Sequence, residues 1–245
     1  MLEVIATTDT IPHQCVSCSV RQTGICAHLT PEQLIAFAQH TRHSHHQAGE
    51  TLASETDTSA GYAMVVEGVI KLTRLLQDGR QQLVGLQFAS DLLGRLYSSE
   101  NPTTAEAVSE IELCRMPKSI LESAVAESSA LKDFLLRRSL QELDDAREWM
   151  VTLGRKTAPE RVASILLLFA LRNRRADAGK DSAVTFDLPL IRADMADFLG
   201  LTIETVSRQI SKLREDGVII VTSHRHVVVP DLERLRRRAG QSELA

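Results

Sequence analysis

Three of the four cysteines lie together near the start of the chain, and the fourth is remote. Cys15, Cys18 and Cys26 follow the spacing C-x2-C-x7-C, and Cys114 comes almost ninety residues later. Four thiolates are the ligand set of a [4Fe–4S] cluster and equally of a structural zinc ion. Four cysteines in 245 residues are too few for a disulfide scaffold. The pattern therefore indicates a metal site rather than cross-links.

Spacing alone does not decide between an iron–sulfur cluster, a zinc ion and unliganded thiols. Closed zinc sites usually present two close pairs of ligands, whereas here three local cysteines would join one remote cysteine. A remote ligand ties an N-terminal loop to a folded domain, and loss of the metal would free that loop. Because this arrangement suits a switch, we favour the cluster over zinc.

The histidines near the cysteines are further potential metal ligands. Two flank the cysteine segment and four form a short patch after it: His13, His28, His40, His43, His45 and His46. Histidine tracts can bind metal. However, the first two fall in a polar loop, and the patch falls in a polar turn before Gly49. We therefore expect all six side chains to be solvated.

A second candidate site lies near the other end of the chain, at residues 191–216. Two helical patterns are joined there by a tight turn at Gly200, and glycine tolerates the left-handed backbone that such a turn uses. Ala196 lets the two helices approach closely, and Thr202 is placed to cap the second helix. The stretch predicts a helix-turn-helix.

The second helix of this motif has an apolar face and a polar face. The apolar positions recur at i, i+4 and i+7: Val206, Ile210 and Leu213. The side chains expected to contact DNA are Glu204, Ser207 and Arg208, with Thr202 and Lys212 beside them. The N-terminal end of a recognition helix enters the major groove, where arginine pairs with guanine and a carboxylate accepts from cytosine. An ordinary helical hairpin with a solvated face is the alternative.

Composition is that of a globular chain of about two domains, with 43% hydrophobic and 24% charged residues. No apolar run approaches the roughly 18 residues of a membrane span, and the N-terminus lacks a signal sequence. We expect a cytoplasmic protein without membrane contact. From Lys156 onward, 15 Lys and Arg stand against 12 Asp and Glu, a net charge of +3, while the rest carries −7. The positive part contains the helix-turn-helix, as phosphate contact would favour.

The region between the two sites begins with a helix and continues with short strands. Thr30 and Pro31 start a helix that runs to about His40. From Gln47 to Met116, short β-prone runs alternate with turns, and Asp78-Gly79 between two such runs is a strong hairpin signal. These antiparallel strands suggest a jelly-roll or barrel with Cys114 on its last strand.

A long helix is predicted from about Ser129 to Gly154. It carries a heptad seam of Leu136, Ser139, Leu143, Ala146, Met150 and Leu153. Such a seam needs a partner helix, and the simplest partner is a second copy in a parallel homodimer. The alternative is an amphipathic helix packed on its own sheet.

Domain boundaries follow from these elements. We assign residues 1–29 to a cysteine-rich cluster-binding segment, 30–127 to the jelly-roll sensor domain, 128–156 to the dimerisation helix and 157–245 to a winged helix-turn-helix domain. Residues 184–188 are a short strand, and residues 218–221 and 227–229 form a two-stranded wing. Arg225 and His226 near the wing tip could touch phosphate. A final helix runs over residues 231–240.

The order of elements resembles that of the cyclic-AMP receptor protein superfamily: a cysteine triad, a jelly-roll, a long helix and a winged helix-turn-helix. Within it the chain is similar to the FNR branch of oxygen-sensing regulators, over essentially its whole length. The most specific parts are the four cysteines and the E-x-x-S-R run that begins at Glu204. The stretch AREWMVTLGRKTAPER and the C-x7-C spacing, where the family often has C-x5-C, resemble the regulators of photosynthetic and symbiotic α-proteobacteria.

The resemblance implies a mechanism and partners. Without oxygen, Cys15, Cys18, Cys26 and Cys114 would hold a [4Fe–4S] cluster, and the homodimer would bind double-stranded DNA. Glu204, Ser207 and Arg208 would read a TTGAT-like half-site twice, in a palindrome. The hairpin at Asp78-Gly79 matches the position where these proteins touch RNA polymerase, so activation of transcription is expected.

Three rival functions remain. A cyclic-nucleotide sensor on this fold would need an arginine–serine pair and a glutamate, and the matching positions hold Thr103-Thr104 and Arg95, so no cyclic nucleotide is expected. A zinc-stabilised DNA-binding protein would give the same output without a redox input. An iron–sulfur electron carrier or enzyme would leave the helix-turn-helix unexplained. The sequence contains no nucleophile motif or phosphate loop, and we expect no enzymatic activity.

Overall fold

The computed structural model describes residues 11–55, 61–98, 101–174, 182–223 and 225–241. The elements in chain order are α1 (His13–Val16), a single 3-10 turn (Ile25–His28), α2 (Pro31–His40), β1 (Arg42–His46), β2 (Thr51–Ala53), β3 (Tyr62–Glu67), β4 (Ile70–Leu75), β5 (Gln81–Gln87), β6 (Leu92–Leu93), β7 (Thr104–Ala107), β8 (Ile111–Met116), α3 (Lys118–Glu127), α4 (Ser129–Arg155), α5 (Ala158–Asn173), β9 (Val184–Asp187), α6 (Arg192–Leu199), α7 (Ile203–Glu215), β10 (Ile220–Val221), β11 (His226–Val229) and α8 (Leu232–Arg238). None of the described helices is long and apolar enough to cross a membrane.

The chain divides into two compact units between Glu142 and Leu143. This division lies inside α4 (Ser129–Arg155), and the domain bounds given above stay a prediction. The long helix itself has the predicted extent. Each unit is described separately below.

The first unit contains the predicted jelly-roll. Its strands form two antiparallel sheets in the orders β1-β8-β3-β6 and β2-β7-β4-β5. The hairpin at Asp78-Gly79 joins β4 to β5 as predicted, with Gly79 at φ +85°. The apolar run before it is broken into β3 and β4 at Gly68, which has φ +94° and where a Cβ atom would lie 2.5 Å from the carbonyl oxygen of Glu110. Only glycine fits this turn without a shift of the backbone.

Strands β3 and β8 are buried on both faces, and this decides where Cys114 points. One face contributes Ala63, Val65, Ile111 and Leu113 to the apolar interior of the jelly-roll. The other face contributes Tyr62, Met64, Cys114 and Met116 to a second apolar cluster, outside the jelly-roll. That cluster also contains Val20 and Ile25 from the cysteine segment and Leu131 from α4. Cys114 therefore faces the cysteine segment and not the jelly-roll interior.

Helix α2 begins as predicted, because Thr30 and Gln33 form a reciprocal capping box with Pro31 at the first helical position. A separate helix, α3, follows Pro117 and was missed by the sequence analysis. Its Leu121 and Val125 are buried in the second cluster. Ten residues give too short an apolar pattern to be distinguished from the start of the next helix.

The second unit is a winged helix-turn-helix. Helix α5 starts with the capping box of Thr157 and Glu160, and its apolar face carries the fully buried Val162, Ile165 and Phe169. The wing has three strands in the order β10-β11-β9, one more than predicted, because β9 pairs with β11 along its whole length. Helix α8 begins at the cap of Asp231.

Candidate cofactor site and nucleic-acid interface

The structure brings the four cysteines to one place. Cys15 lies on α1, Cys18 in the turn after it, Cys26 in the 3-10 turn and Cys114 on β8. Cys114 is buried and the other three are partly buried. Cys26 interacts electrostatically with all three other thiols, and Cys114 with those of Cys15 and Cys18. The four thiols thus interact, although they come from distant parts of the sequence. Among the described residues, no three His, Cys, Asp or Glu side chains are grouped tightly enough to hold a metal ion, and metal binding by the four cysteines stays a prediction.

The cysteine segment is held against the outer face of the sheet by apolar side chains and close packing. Val20 and Ile25 are almost fully buried in the cluster that contains Cys114. A Cβ atom on Gly24 would lie 2.3 Å from the sulfur of Met64, so the loop approaches β3 closely at this glycine. The Ser19 hydroxyl donates to the carbonyl of Val66 at 3.3 Å. These contacts hold the loop close to β3.

The environment of the site disfavours free thiolates. Burial, with repulsion from the neighbouring thiolates, raises the pKa of Cys26 to about 12. Burial also raises the pKa of Cys114 to about 12. The thiolate form that a metal requires is thus unfavourable unless a positive charge is supplied.

Thr41 is part of this site, and the sequence analysis did not identify it. Its hydroxyl donates to the carbonyl of Ala38 at 3.2 Å and lies beside the thiols of Cys15 and Cys114, where it offsets part of the rise in pKa that burial causes for both thiols. Thr41 therefore joins the local and the remote cysteines. No local sequence pattern marks it, because its role depends on the pairing of β1 with β8.

The histidine patch was wrongly assigned to a turn. His43, His45 and His46 lie on β1, which pairs with β8 and places His43 opposite Cys114. The Nδ1 atom of His43 lies 2.5 Å from Oε1 of Glu112. Its Nε2 atom is buried and has no hydrogen-bond partner among the described residues. The strand was missed because its polar sequence has no apolar alternation.

His28 is also not the solvated side chain that was expected. Its ring stacks on Phe134 of α4, with centroids 4.2 Å apart and planes 22° from parallel. This contact arises only when the cysteine segment folds over α4, so the sequence could not reveal it. His13, in contrast, is exposed as predicted.

The helix-turn-helix has the geometry that its sequence predicts. Gly200 ends α6 in the left-handed conformation, at φ +61° and ψ +42°. The Thr202 hydroxyl accepts from the backbone N–H of Thr205 at 3.2 Å and caps α7. The residues that α7 buries are Val206, Ile210 and Leu213, the three predicted. The turn and cap therefore fix the direction of the second helix.

The polar face of α7 is exposed at every position expected to contact DNA. Glu204, Ser207, Arg208, Thr202 and Lys212 all lie on the surface. The guanidinium of Arg208 donates to the hydroxyl of Thr205 at 3.4 Å. Hydrogen bonds from its own backbone N–H and from the Thr202 hydroxyl hold the pKa of the Glu204 carboxyl below its ordinary value. Glu204 is thus an ionised acceptor at the first turn of the helix.

The two wing residues have partners within the second unit. His226 Nδ1 lies 2.8 Å from Asp187 Oδ1 on the neighbouring strand. Arg225 donates to the carbonyl of Pro189 at 3.0 Å and remains exposed. Residue 224, in the predicted turn between the two wing strands, lies outside the described residues. A phosphate contact remains a prediction for both side chains.

Apolar side chains on α4 face solvent along a stripe. Leu136 is 60% exposed, Leu143 is 46% exposed and Met150 is 73% exposed. Ser139 and Ala146 of the predicted seam are exposed as well, whereas Leu153 is half-buried. Leu140, outside the predicted seam, is 53% exposed. Within the first unit, the other side of the helix packs Leu131, Phe134 and Leu135 against the apolar cluster outside the jelly-roll.

Comparison with known proteins agrees with this architecture. Residues 160–238 match the Crp-like helix-turn-helix domain, and residues 43–128 match the cyclic nucleotide-binding domain. The chain is 44% identical over 226 residues to a probable transcriptional activator of Rhizobium leguminosarum, covering 92% of this chain and 93% of that one. It is 40% identical to the transcriptional activator protein FnrL of Cereibacter sphaeroides, with 94% of each chain covered.

Among solved structures, FixK2 from Bradyrhizobium japonicum is similar with a TM-score of 0.73 and 30% identity, over 84% of this chain and 99% of that chain. The matched relatives are regulators of transcription and not enzymes. DNA binding, typically as a dimer, comes with this family. The chain therefore belongs to the CRP/FNR family and is a transcriptional activator of the FNR and FixK type.

Proposed function

We propose that this activator responds to oxygen through a [4Fe–4S] cluster bound by Cys15, Cys18, Cys26 and Cys114. The observation that carries the proposal is the convergence of four thiols, three from a loop and one from β8, at one largely buried site.

The donor set is one that a cluster takes. Four thiolates are the ordinary ligands of a [4Fe–4S] cluster. A zinc ion needs all four sulfurs about 2.3 Å from one centre. Four thiolates are equally the ligands of a structural zinc ion, so the iron, sulfide and zinc content of the protein decides between the two.

Oxygen sensitivity would come from the bound iron and sulfide, which supply a group that reacts with oxygen. The chain's own residues provide the rest. The thiolates would tie the loop to β8, and the Thr41 hydroxyl lies beside Cys15 and Cys114. Val20 and Ile25 exclude water from the inner side of the loop. A group bound at the cysteine site can strengthen DNA binding by no more than the amount by which it changes the free energy of dimerisation.

Metal analysis tests this proposal directly. The protein purified without air is expected to contain about four iron and four sulfide per chain and to bleach in air. Cys114→Ser is expected to lose the iron and the oxygen response while the chain stays folded. Ser17→Ala, which removes a hydroxyl bonded to the carbonyl of His13 in the same loop, serves as the control. One zinc per chain and no sulfide would instead establish the zinc-stabilised alternative.

The exposed face of α7 would read the operator. Glu204, Ser207 and Arg208 are proposed to contact a TTGAT-like half-site, with Thr202 and Lys212 close to the phosphates. A two-fold dimer presents two such helices, so the operator is expected to be a palindrome. Footprinting on inverted and direct repeats of the half-site would distinguish this arrangement from binding by a single copy.

The β4–β5 hairpin is the proposed contact with RNA polymerase. Leu75, Leu76 and Val84 near its tip are exposed apolar side chains, and such exposure often marks a protein-binding surface. Leu76→Ser is expected to reduce transcription from a bound promoter while operator affinity is unchanged. An equal loss of operator binding would argue against the contact.

A cyclic nucleotide is the second candidate signal, because the first unit encloses a cavity of about 530 Å³ between the jelly-roll and α4. Arg95 and Thr103 line it, in place of the glutamate and arginine–serine pair that the ligand needs. Arg138, which also lines the cavity, is already paired with Asp91. We propose that cyclic AMP does not bind. Titration calorimetry with cyclic AMP tests this, and micromolar binding would contradict it.

A further inference from the structure

The start of α4 is tied to the cysteine loop through one hydroxyl group. The Ser128 oxygen accepts from the backbone N–H of Leu131 at 3.1 Å and so caps α4. The same hydroxyl donates to the carbonyl of His28 at 3.0 Å. Ser128 is 8% exposed, so both bonds are shielded from water. The helix cap is therefore shared with a residue that follows Cys26 by two positions.

Two apolar contacts reinforce this connection. The ring of His28 stacks on Phe134, one and a half turns into α4. Ile25, which begins the 3-10 turn, belongs to the same apolar cluster as Leu131, and both are almost completely buried. The 3-10 turn that carries Cys26 thus contacts α4 through His28 and Ile25. On the next turns of α4 come the exposed side chains of Leu136 and Leu140.

We propose that Ser128 and His28 are positioning residues that transmit the state of the cysteine site to the exposed stripe of α4. This inference rests on the proposed function. A ligand bound to Cys26 fixes the 3-10 turn and with it the carbonyl and ring of His28, which hold the first turns of α4. When Cys26 is released, the turn gains freedom, and the contacts with Ser128 and Phe134 weaken together. The dimer-forming stripe then loses its fixed starting point.

The coupling depends on contacts that differ between two states of the site, as any such linkage requires. A hydrogen bond of ordinary strength corresponds to about a fivefold change in an equilibrium constant. A ring stack contributes a similar amount. The iron-free chain is expected to have a larger dimer dissociation constant than the iron-loaded chain. We expect loss of either contact to reduce the ratio of these two constants about fivefold.

Substitutions at Ser128 separate capping from coupling. Aspartate accepts from the Leu131 N–H but cannot donate to the His28 carbonyl, which its carboxylate instead repels. Ser128→Asp therefore keeps the cap and breaks the tie. Ser128→Thr keeps both bonds. At His28, alanine removes the stack and phenylalanine restores it. His13→Ala, an exposed histidine in the same segment, is the matched control.

The experiment measures iron, sulfide and the dimer dissociation constant for each full-length chain, purified without air and then stripped of iron. Ser128→Asp and His28→Ala are expected to weaken the loaded dimer about fivefold, with the iron-free value unchanged. Ser128→Thr, His28→Phe and His13→Ala should match the unaltered chain. A loss of stability alone would shift both states equally and would overturn the inference.

The iron and sulfide content of the purified chains distinguishes failure of the proposed function from failure of the proposed coupling. If the unaltered chain takes up no iron and sulfide, the proposed function is wrong and the coupling falls with it. If it is loaded, and the Ser128→Asp chain is loaded and dimerises like it, the coupling alone is wrong. Ser128 lies outside the cysteine loop, so its variants remain informative even where a substitution of His28 reduces iron binding.

Discussion

Replacement of Leu136 by alanine is expected to weaken the dimer strongly. The substitution removes three carbon atoms, each worth about 0.8 kcal/mol when it is transferred from water to an apolar environment. Leu136 is 60% exposed in the single chain, so dimerisation would bury about that fraction of the side chain. The loss is then about 1.4 kcal/mol per chain and about 3 kcal/mol for the two copies in a dimer. This corresponds to a dissociation constant about 100-fold higher.

Sedimentation velocity over a range of protein concentrations measures this constant for the iron-loaded chain kept without air. Leu75→Ala is the matched control, because Leu75 is 63% exposed but lies on the β4–β5 hairpin. It should leave the dimer constant unchanged. A dimer constant for Leu136→Ala within about threefold of the unaltered chain, under 1 kcal/mol, would mean that the stripe on α4 does not form the interface.

Three further outcomes follow from individual contacts. Arg138→Ala removes the cationic partner of the Asp91 carboxylate, which is only 4% exposed and keeps its hydrogen bond from the Phe88 backbone N–H. Urea unfolding should show a loss of about 3 kcal/mol, against under about 0.5 kcal/mol for alanine at the surface residue Arg147 on the same helix; equal losses would contradict this. Arg208→Ala should cost about 1–3 kcal/mol of operator binding and relax base choice at one position, and an unchanged preference in a binding-site selection would remove it from the reading face. Hydrogen bonds from Thr157 lower the pKa of Glu160 below its ordinary 4.5. The ionised carboxylate therefore stabilises the folded chain at neutral pH, and this stabilisation is lost as the pH falls through the lowered value. Glu160→Gln keeps the capping box, so stability of this variant should fall less steeply with acid than that of the unaltered chain.

Sequence patterns predicted the helix-turn-helix residue by residue because its determinants are local. The left-handed Gly200, the cap at Thr202 and the buried positions Val206, Ile210 and Leu213 lie within one short stretch. The hairpin at Asp78-Gly79 was predictable for the same reason. Each of these features depends on a neighbour a few residues away, and the periodicity of a single element is sufficient to reveal it.

The parts that the sequence did not reveal depend on contacts between distant residues. Strand β1 has a polar sequence and is recognisable only by its pairing with β8, which also brings His43 to Glu112 and Thr41 to the cysteines. The sharing of Ser128 between the helix cap and His28 spans a hundred positions in the sequence. The four cysteines were identified by type and spacing, whereas the residues that surround them required the fold.

The exposed stripe on α4 has a consequence for how the amount of protein affects the cell. Serine and alanine interrupt its leucines at Ser139 and Ala146, so a dimer formed through this stripe would depend on few apolar contacts and would be weaker than an all-leucine seam. While single chains predominate, mass action makes the dimer concentration rise with the square of the total, and a doubled supply of protein gives about four times as much dimer. The amount of this regulator that the cell makes would thus change the response more than proportionally, in addition to any effect of the stimulus.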